Sequence, residues 1–538
     1  MAFLKVERKA SGTYLRIAES YRNESGKPSS RVLYSIGKVE DYTPEQLRHI
    51  GVRLFELGGG EVKALLDGEV FEKARYNYGY VWVLSKAMQH YGLADLLRRV
   101  NRKSKLKFDL RAAILLMLVE RLHDPCSKRS NWNHRTEYIG LPALSLHHLY
   151  RALDGLAKHT RLIQQQIFQT GRDLFNQQLD VVFYDVTTLY FESETEHPDE
   201  LRQFGFSKDG KIGNTQILFC MLIDRQKNPI SYRIFKGNTF EGHTLQSALE
   251  DLKTQYHIDK IVVVADRGML SKNNLEQITT RGYEFIMGER IKSLPQAVQT
   301  TLLDLSQYKC EWIYTDHQDQ NVVVQYTTLQ HEGKTIIATY SDKRAAKDRH
   351  DREQKIETAN HLLKQPSLIA KKASRFYLTA KGDQQYELNS EKIKSDQAYD
   401  GILAIATNNT SLGTADILDH YKQLYKIEHT FRTFKHHLEI RPMFHWTDRR
   451  IEGHICLCYI AYTLQHFILQ KASQLKTPLT ENSLRQMLDA MQLSLVQHNE
   501  NEIYIRSKPH EQEGALLQLL GIKPLLPLTA KDKLQLPQ

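Results

Sequence analysis

The feature that most constrains the fold is a run of five apolar residues, 261–265, that ends at Asp266. A short run without polar interruption indicates a strand covered on both faces, because a strand with one face in water alternates apolar and polar residues. The apolar residues 181–184 end in the same way at Asp185. These two strands predict a mixed sheet with helices packed on both sides.

The segments around these two strands follow a definite order. Strand patterns over 216–223 and 230–235 come after the first strand, and they form a three-stranded meander with it. A helix follows, with apolar residues from Leu245 to Leu252 at helical spacing, and then come the strand 261–265, a helix over 271–281 and a strand over 283–288. The resulting order, βββαβαβ, is similar to the ribonuclease-H-like fold.

The chain of 538 residues is long enough for several domains, and its 41% hydrophobic and 25% charged residues are typical of folded proteins. Changes of pattern predict five parts. They are a small β-containing unit over 1–75, a helical region over 76–179, an α/β core over 180–290 and 397–470, a β-rich insertion subdomain over 291–396, and a helical or mixed region over 471–538.

The two strand-end aspartates are candidate metal ligands. If their strands are neighbours in the sheet, Asp185 and Asp266 emerge in the same region. Mg²⁺ prefers hard oxygen ligands and completes its shell with water or phosphate, so a carboxylate pair suits it. The alternative is that each aspartate caps the segment that follows it.

A third acid is expected after the insertion. The candidates are Asp400, Asp416, Asp419, Glu428 and Glu439. On an ideal helix, one stripe of roughly 80° holds Tyr421, Tyr425, Glu428, Arg432 and Lys435.

An apolar stripe lies beside this polar one and consists of Leu424, Ile427, Phe431, Phe434 and Leu438. The pattern predicts one helix that packs on the sheet and presents Glu428 between aromatic and basic residues, which favours a nucleic-acid site. The alternative is a surface helix with ordinary ion pairs four residues apart, such as Glu428 with Arg432.

Most of the net charge of +10 lies in one region. Residues 76–180 hold 16 Lys and Arg against 8 Asp and Glu, an excess of eight. Six cations fall within ten residues: Arg98, Arg99, Arg102, Lys103, Lys105 and Lys107. This density suits a phosphate backbone and predicts a DNA-binding region. The alternative is a solvated loop between helices.

Other classes of protein are disfavoured. Five scattered cysteines without a Cys-x-x-Cys pair indicate neither a disulfide scaffold nor structural zinc, and they fit a reducing compartment. Neither a signal peptide nor a membrane-spanning segment is expected. The histidines near the third acid lack the spacing of a zinc site; they are His420, His429, His436, His437, His445 and His454.

With these residues identified, the chain resembles the DDE transposases of bacterial insertion sequences, in the class marked by Tyr-x2-Arg-x3-Glu-x6-Lys around the third acid. Tyr421, Glu428 and Lys435 stand at that spacing, whereas the arginine position holds Leu424. Residues 441–442, Arg-Pro, and residues 450–454, Arg-Ile-Glu-Gly-His, also resemble the class.

The resemblance implies a transposase that binds terminal inverted repeats and catalyses metal-dependent strand cleavage and strand transfer. It implies that Asp185, Asp266 and Glu428 are catalytic and hold two Mg²⁺ ions, for which Mn²⁺ can substitute. It further implies phosphate contacts from Tyr421, Arg432 and Lys435, and a flipped base stacked on Tyr425.

The implied partners are double-stranded DNA, both transposon ends and target, and a second copy of the chain in a DNA-bound homodimer. The implied location is the bacterial cytoplasm, at the nucleoid. Because Leu424 cannot donate to phosphate, we expect activity with altered end contacts. Two alternatives stay open: a related endonuclease without strand transfer, and a non-catalytic DNA-binding protein derived from a transposase.

Overall fold

A computed structural model describes residues 2–23, 27–59, 70–171, 181–193, 195–197, 199–206, 213–315, 320–364, 376–381, 386–498 and 501–534. The chain forms two compact units. The first comprises residues 1–75, 493–507 and 525–534, and the second comprises residues 76–492, 508–524 and 535–538.

The first unit begins with an antiparallel sheet of β1 (Ala2–Lys9), β2 (Gly12–Arg22) and β3 (Pro28–Lys38). α1 (Pro44–Leu57) follows. Thr43 and Gln46 cap its N-terminus reciprocally, since the side chain of each accepts a hydrogen bond from the backbone N–H of the other. β4 (Val70–Asn77) then begins a second sheet.

Helices fill the next part of the chain up to residue 171. They are α2 (Gly79–His90), α3 (Leu93–Lys103), α4 (Leu110–His123), α5 (Lys128–His134) and α6 (Leu146–Gly171). α4 is the central member, because its residues from Ala112 to Leu122 are all buried. Asp109 caps it by accepting a hydrogen bond from the backbone N–H of Ala112 at 3.0 Å.

The predicted mixed sheet is present in the second unit. β5 (Val181–Tyr190), β6 (Gln216–Ile223) and β7 (Pro229–Lys236) pair antiparallel in sequence order. After α7 (Leu245–Thr254), the strand β8 (Val262–Ala265) pairs parallel with β5, and after α8 (Lys272–Thr280), β9 (Glu284–Glu289) pairs parallel with β8. β8 is buried along its whole length, as its apolar sequence predicts.

The structure differs from the prediction over residues 291–396, whose main strands belong to the core sheet and not to a sheet of their own. The elements here are α9 (Gln296–Leu303), β10 (Cys310–Thr315), β11 (Asn321–His331), β12 (Lys334–Tyr340), α10 (Asp342–Leu363), β13 (Leu378–Ala380), β14 (Tyr386–Leu388) and α11 (Ser390–Gln397).

β12 pairs antiparallel with β15 (Ile402–Thr407), which in turn pairs with β9. The complete sheet has nine strands in the order β10-β11-β12-β15-β9-β8-β5-β6-β7. The physical reason is burial: β12 covers the edge of β15, and the central residues of β12, Ile336, Ile337 and Ala338, are fully buried. Only the short pair of β13 and β14 stands apart from this sheet within the described part of that segment.

The remaining elements are α12 (Thr414–Lys422), α13 (Tyr425–Arg432), α14 (Asp448–Ala472), α15 (Glu481–Ala490), β16 (Gln492–His498), β17 (Asn501–Arg506), α16 (Glu513–Leu519) and β18 (Leu528–Ala530). The predicted region 471–538 is therefore divided. Its strands form a sheet with β4 in the order β18-β17-β16-β4, and this sheet completes the first unit. None of the helices in the described part of the chain combines the length and apolar content that a bilayer crossing requires.

Candidate active site

The two strand-end aspartates occupy neighbouring positions in the sheet. β5 and β8 run parallel, and their register aligns Val181 with Val262 and Tyr184 with Ala265. Asp185 and Asp266 are the next residues on the two chains. Because adjacent strands lie about 4.8 Å apart, the backbones of these two residues are neighbours.

Both carboxylates belong to the sheet face opposite α7 and α8. Tyr184 and Ala265 contribute to the core beneath those helices, and successive residues of a strand point to opposite faces. On the other face, Asp185 is paired with Met221, two residues from Phe219. Phe219 packs against α13 through Phe431, with a ring-centroid distance of 5.9 Å. Asp185 therefore lies on the face that carries α13.

Asp266 and Glu428 line one cavity of about 600 Å³. Both side chains are exposed, whereas Asp185 is half-buried and is not among the residues that line this cavity. An oxygen of Asp185, Oδ1, accepts a hydrogen bond from the backbone N–H of Val186 at 2.7 Å. The structure thus pairs the two aspartates by register and brings Asp266 and Glu428 to a common cavity.

Of the five candidates for the third acid, only Glu428 lines the cavity that Asp266 lines. Asp400 forms an ion pair with Arg352, and Asp419 accepts a hydrogen bond from Trp312 Nε1 at 3.1 Å. Asp416 and Glu439 are exposed and lie outside the cavity lining. The geometry favours Glu428 over the other four.

The prediction of one continuous helix around Glu428 is wrong. α12 ends at Lys422 and α13 begins at Tyr425, and the turn between them is held by short-range bonds such as Lys426 N–H to Gln423 O at 2.9 Å. Residues Thr433–His437 then form a π-helical turn. Tighter and wider turns change the phase of the helix, so an ideal spacing of 100° per residue does not hold across them.

The apolar stripe survives these irregularities in its main part. Ile427, Phe431, Phe434 and Leu438 are all buried, with exposed fractions of 0–6%. Leu424, at the break, is half-buried and lines the cavity beside Glu428. Tyr425 also lines it and is 46% exposed, whereas Arg432 and Lys435 are not part of the lining.

Tyr421 is held against the sheet by a glycine. Its hydroxyl oxygen lies 2.5 Å from the position that a Cβ on Gly288 of β9 would take, so only glycine leaves room for the phenol. Burial, followed by the negative charge of Asp266, raises the pKa of Tyr421 to about 12; Glu428 acts in the same direction. The phenol therefore keeps its proton at neutral pH and can donate it in a hydrogen bond.

Five basic side chains share the cavity with the two carboxylates, and the sequence interpretation did not place the three that belong to α10 beside Glu428. They are Arg267, Lys422 and three residues of α10, namely Lys343, Arg344 and Lys347. Charged residues dominate the sequence of α10, but no local signal connects that helix with Glu428. The connection arises because β12, which leads into α10, joins the core sheet.

Two family models match the sequence. A model described as "Transposase DDE domain" matches residues 176–464, more than half of the chain, and one described as "IS1634 family transposase, N-terminal domain" matches residues 4–58. The chain belongs to the DDE transposase family. The resemblance to insertion-sequence transposases is thereby confirmed, and this transposase is a DNA-cleaving and strand-transferring enzyme of a family that depends on divalent metal.

Two solved structures are similar at a low level. One is described as "Cryo-EM structure of piggyBac transposase synaptic complex with hairpin DNA (SNHP)", with 8% identity, a TM-score of 0.36, and coverage of 76% of this chain and 77% of that one. The other, "Mos1 transposase paired-end complex with left transposon end", has 13% identity, a TM-score of 0.15, and coverage of 36% and 57%. No curated protein matches the sequence.

The six cations predicted to bind DNA lie on the last turns of α3 and in the loop after it. We call them the basic cluster; they are Arg98, Arg99, Arg102, Lys103, Lys105 and Lys107. All six side chains are exposed. Arg98, Arg99, Arg102 and Lys107 line a cavity of about 730 Å³, in which Arg98 Nη1 is 3.3 Å from Asp95 Oδ1. Leu93, Leu96 and Leu97 anchor the other side of α3 in the core. The cluster is thus a cationic surface on a fixed helix and loop.

The transposase also has a group of potential metal ligands that the sequence interpretation did not identify. Glu120, Cys126 and His134 offer ligand atoms within 4.8 Å of one another. Glu120 Oε2 already accepts hydrogen bonds from Cys126 Sγ at 3.2 Å and Asn131 Nδ2 at 3.2 Å, and Oε1 accepts from Tyr138 at 2.6 Å. These hydrogen bonds are sufficient to explain why the three side chains lie close together. They form a network that joins α4 to the residues after it.

Proposed function

We propose that Asp185, Asp266 and Glu428 form the metal-binding catalytic centre of this transposase and that the metal is Mg²⁺, with Mn²⁺ as a substitute. The observation that carries the proposal is the linked placement of the acids, with Asp266 beside Asp185 in the sheet and beside Glu428 in the cavity. Asp185 and Asp266 are register neighbours on parallel strands, and Glu428 faces the cavity that Asp266 lines.

The donor set fits such a metal. Three carboxylates supply the hard oxygen atoms that Mg²⁺ prefers, and two of the three are exposed to solvent, so water and phosphate oxygens can reach the same ions. A pair of ions held by Asp185, Asp266 and Glu428 would activate a water or 3′-hydroxyl and stabilise the leaving oxygen in phosphoryl transfer.

Other side chains around the cavity position the DNA in this proposal. The protonated phenol of Tyr421 donates to a phosphate oxygen, and Lys343, Arg344 and Lys347 neutralise neighbouring phosphates. Tyr425, whose side chain is 46% exposed, stacks on a base. Arg432 and Lys435, outside the cavity lining, contact phosphates farther along the strand.

We extend the proposal to the organisation of the chain. Residues 180–290 and 397–470 form a ribonuclease-H-like core, residues 291–396 supply α10 to it, and residues 76–179 bind DNA through the basic cluster. Residues 1–75 form a small β-containing part, and residues 471–538 form a helical and mixed part. It acts on terminal inverted repeats as a DNA-bound homodimer, since two ends must be cut together, and it works in the cytoplasm at the nucleoid.

A cleavage assay tests this proposal. The purified chain is incubated with Mg²⁺ or Mn²⁺ and a DNA fragment that carries the inverted repeats flanking its own reading frame. We expect cleavage at the ends and strand transfer into target DNA, both abolished in Asp185→Ala. Cleavage without insertion indicates the endonuclease alternative, and binding without cleavage indicates the non-catalytic one. Cleavage that persists in Asp185→Ala overturns the assignment of the acids.

A further inference from the structure

A further cationic cavity lies apart from both the candidate active site and the cavity lined by the basic cluster. It has a volume of about 400 Å³ and is lined by residues of α4, residues 125–128 at the start of α5, Tyr150 of α6, residues 439–447 and the first part of α14. Its charged lining consists of four basic side chains, Arg121, Lys128, Arg441 and Arg450, and one carboxylate, Glu439. A cavity with this balance attracts an anion.

Two of the basic groups are buried without a neutralising carboxylate bond. Arg121 is 5% exposed and donates through Nη1 to the carbonyl oxygens of Leu438 at 3.1 Å and Glu439 at 3.4 Å. Its Nε has no hydrogen-bond partner among the described residues. Lys128 is 3% exposed and donates to Asn131 Oδ1 at 3.0 Å. The nearest buried carboxylate, Glu120, is bridged to Lys128 by Asn131, which donates to Glu120 Oε2 at 3.2 Å. One buried carboxylate does not balance both cations, and a buried cation without a bonded counter-ion is costly unless an anion binds beside it.

The protonation of the buried groups in this cavity responds to the same excess of positive charge. Burial, followed by the charge of Arg121, lowers the pKa of Lys128 to about 7, and an anion bound beside the amine would raise it again. Burial, together with Lys128 and Arg121, lowers the pKa of His445 to about 3. Burial and Arg121 also lower the pKa of His454 well below its ordinary value. Both imidazole rings are therefore neutral at physiological pH. They add no positive charge to the cavity, and their nitrogens can form hydrogen bonds beside the cations.

The mouth of the cavity carries exposed aromatic rings. Phe444 is 70% exposed and Trp446 is 60% exposed, although both belong to the cavity lining. The guanidinium of the buried Arg202 lies 5.1 Å from the Trp446 ring centroid. Arg450, whose guanidinium lies 4.8 Å from the Tyr150 ring centroid, has Nε at 3.8 Å from Asp154 Oδ1. Exposed aromatic side chains close to cations are the combination that binds nucleic-acid strands.

We propose that this cavity receives a phosphate group of a DNA strand, with the adjoining base stacked on Trp446. The guanidinium groups and the ammonium group of this cavity can bind one phosphate together, because each donates hydrogen bonds to its oxygen atoms. A stacking ring beside them favours a nucleotide strand over a free anion. The proposal rests on the proposed function only in that DNA is the partner. It assigns a contact outside the cleavage centre, and it requires no metal.

Tryptophan fluorescence tests the proposal on the full chain. Of the four tryptophans, Trp446 is the exposed one, so a 5′-phosphorylated trinucleotide that stacks on it quenches its emission. The titration is made in a chelator, without metal. We expect quenching to disappear in Trp446→Phe, and the apparent affinity to fall about tenfold or more in Arg450→Gln, the size expected when one charge-assisted bond is removed.

Two further variants complete the design. Lys128→Met removes the buried amine and is expected to weaken binding as Arg450→Gln does, which provides a second test if one variant fails to fold. Lys253→Gln removes an exposed cation of α7 and serves as the matched control, with unchanged affinity. Inorganic phosphate is expected to compete with the trinucleotide.

The results separate this proposal from the cleavage centre. Unchanged affinity in both Arg450→Gln and Lys128→Met overturns it, as does quenching that persists in Trp446→Phe. Protection from thermal unfolding by inorganic phosphate, without any response to the trinucleotide, also overturns it in favour of a small-anion site. An inactive cleavage centre leaves the titration unaffected, because no metal is present.

Discussion

At the scale of single residues, the contact between Gly288 and Tyr421 connects the sheet to the proposed catalytic helix pair. The phenol occupies the space that any side chain on Gly288 would need. We predict that Gly288→Ala destabilises the protein by about 1–3 kcal/mol, the usual cost of overpacking a filled position, and that it reduces DNA cleavage by displacing Tyr421. Thermal unfolding and the cleavage assay measure the two effects.

The double variant Gly288→Ala/Tyr421→Phe is the sharper test, because removal of the hydroxyl relieves the nearest clash. We expect it to recover about 1 kcal/mol or more of the stability, as coupled neighbours do, though not cleavage. Gly514→Ala, at a position with open space around it, is the control. Equal destabilisation of the single and double variants would show that the hydroxyl is not what Gly288 accommodates.

The residues of the proposed centre differ in how far the sequence could predict them. Asp185 and Asp266 follow from the pattern of buried strands, since an acid at the end of an apolar run is visible locally. The contact of Tyr421 with Gly288 is not visible in the local sequence, because it depends on how α12 packs on β9. Burial of Arg121 and Lys128 is equally hidden, as nothing in a basic side chain's sequence neighbourhood indicates that it is buried.

At the scale of elements, α10 has a role that can be tested. Its Lys343, Arg344 and Lys347 line the cavity beside Leu424, which stands where the family signature has arginine. We predict that Arg344→Gln/Lys347→Gln lowers cleavage about tenfold or more, since two phosphates are then left without their cations, and that adding Leu424→Arg to this variant restores part of the activity. Strand-cleavage rates at fixed Mg²⁺ measure both steps.

The matched control for α10 is Lys355→Gln, an exposed cation on the same helix outside the cavity lining. If Leu424→Arg raises cleavage strongly in the otherwise unchanged protein, the cations of α10 do not replace the missing arginine. Leu424 would then be a substitution that impairs the activity of this chain.

Elements were predictable where the pattern is local and not where pairing is distant. The short uninterrupted apolar runs of β5 and β8 and the helical periods of α7 and α8 indicate their type directly. The place of β12 in the core sheet is set by pairing between Thr335 and Thr407 and between Tyr340 and Ile402, residues far apart in sequence. Similarly, the break before α13 and the π-helical turn after it depend on tertiary packing. The ideal-helix prediction is therefore right for the buried residues of α13 and wrong for the residues on either side of it.

At the scale of the whole molecule, the uneven charge predicts a salt effect. Residues 76–180 carry most of the net +10, and the basic cluster on α3 is exposed. We predict that DNA affinity falls steeply with salt and that Arg98→Gln/Arg99→Gln/Arg102→Gln/Lys107→Gln flattens the logarithmic slope by about 0.9 for each phosphate that is no longer neutralised. Lys253→Gln/Lys260→Gln, two exposed cations elsewhere, is the control. An unchanged slope would show that the basic cluster is a solvated surface that does not bind DNA.

The central claim is that Asp185, Asp266 and Glu428 together hold the metal, and Mn²⁺ binding measures it most directly. Free Mn²⁺ is followed by its electron paramagnetic resonance signal as the full chain is added. We predict that the unchanged protein binds Mn²⁺ and that Asp185→Asn, Asp266→Asn and Glu428→Gln each weaken binding about tenfold or more, since each removes a charged ligand. Asp416→Asn, an exposed acid outside the cavity, is expected to bind as the unchanged protein does. Mn²⁺ binding that is intact in Asp185→Asn would contradict the three-acid centre.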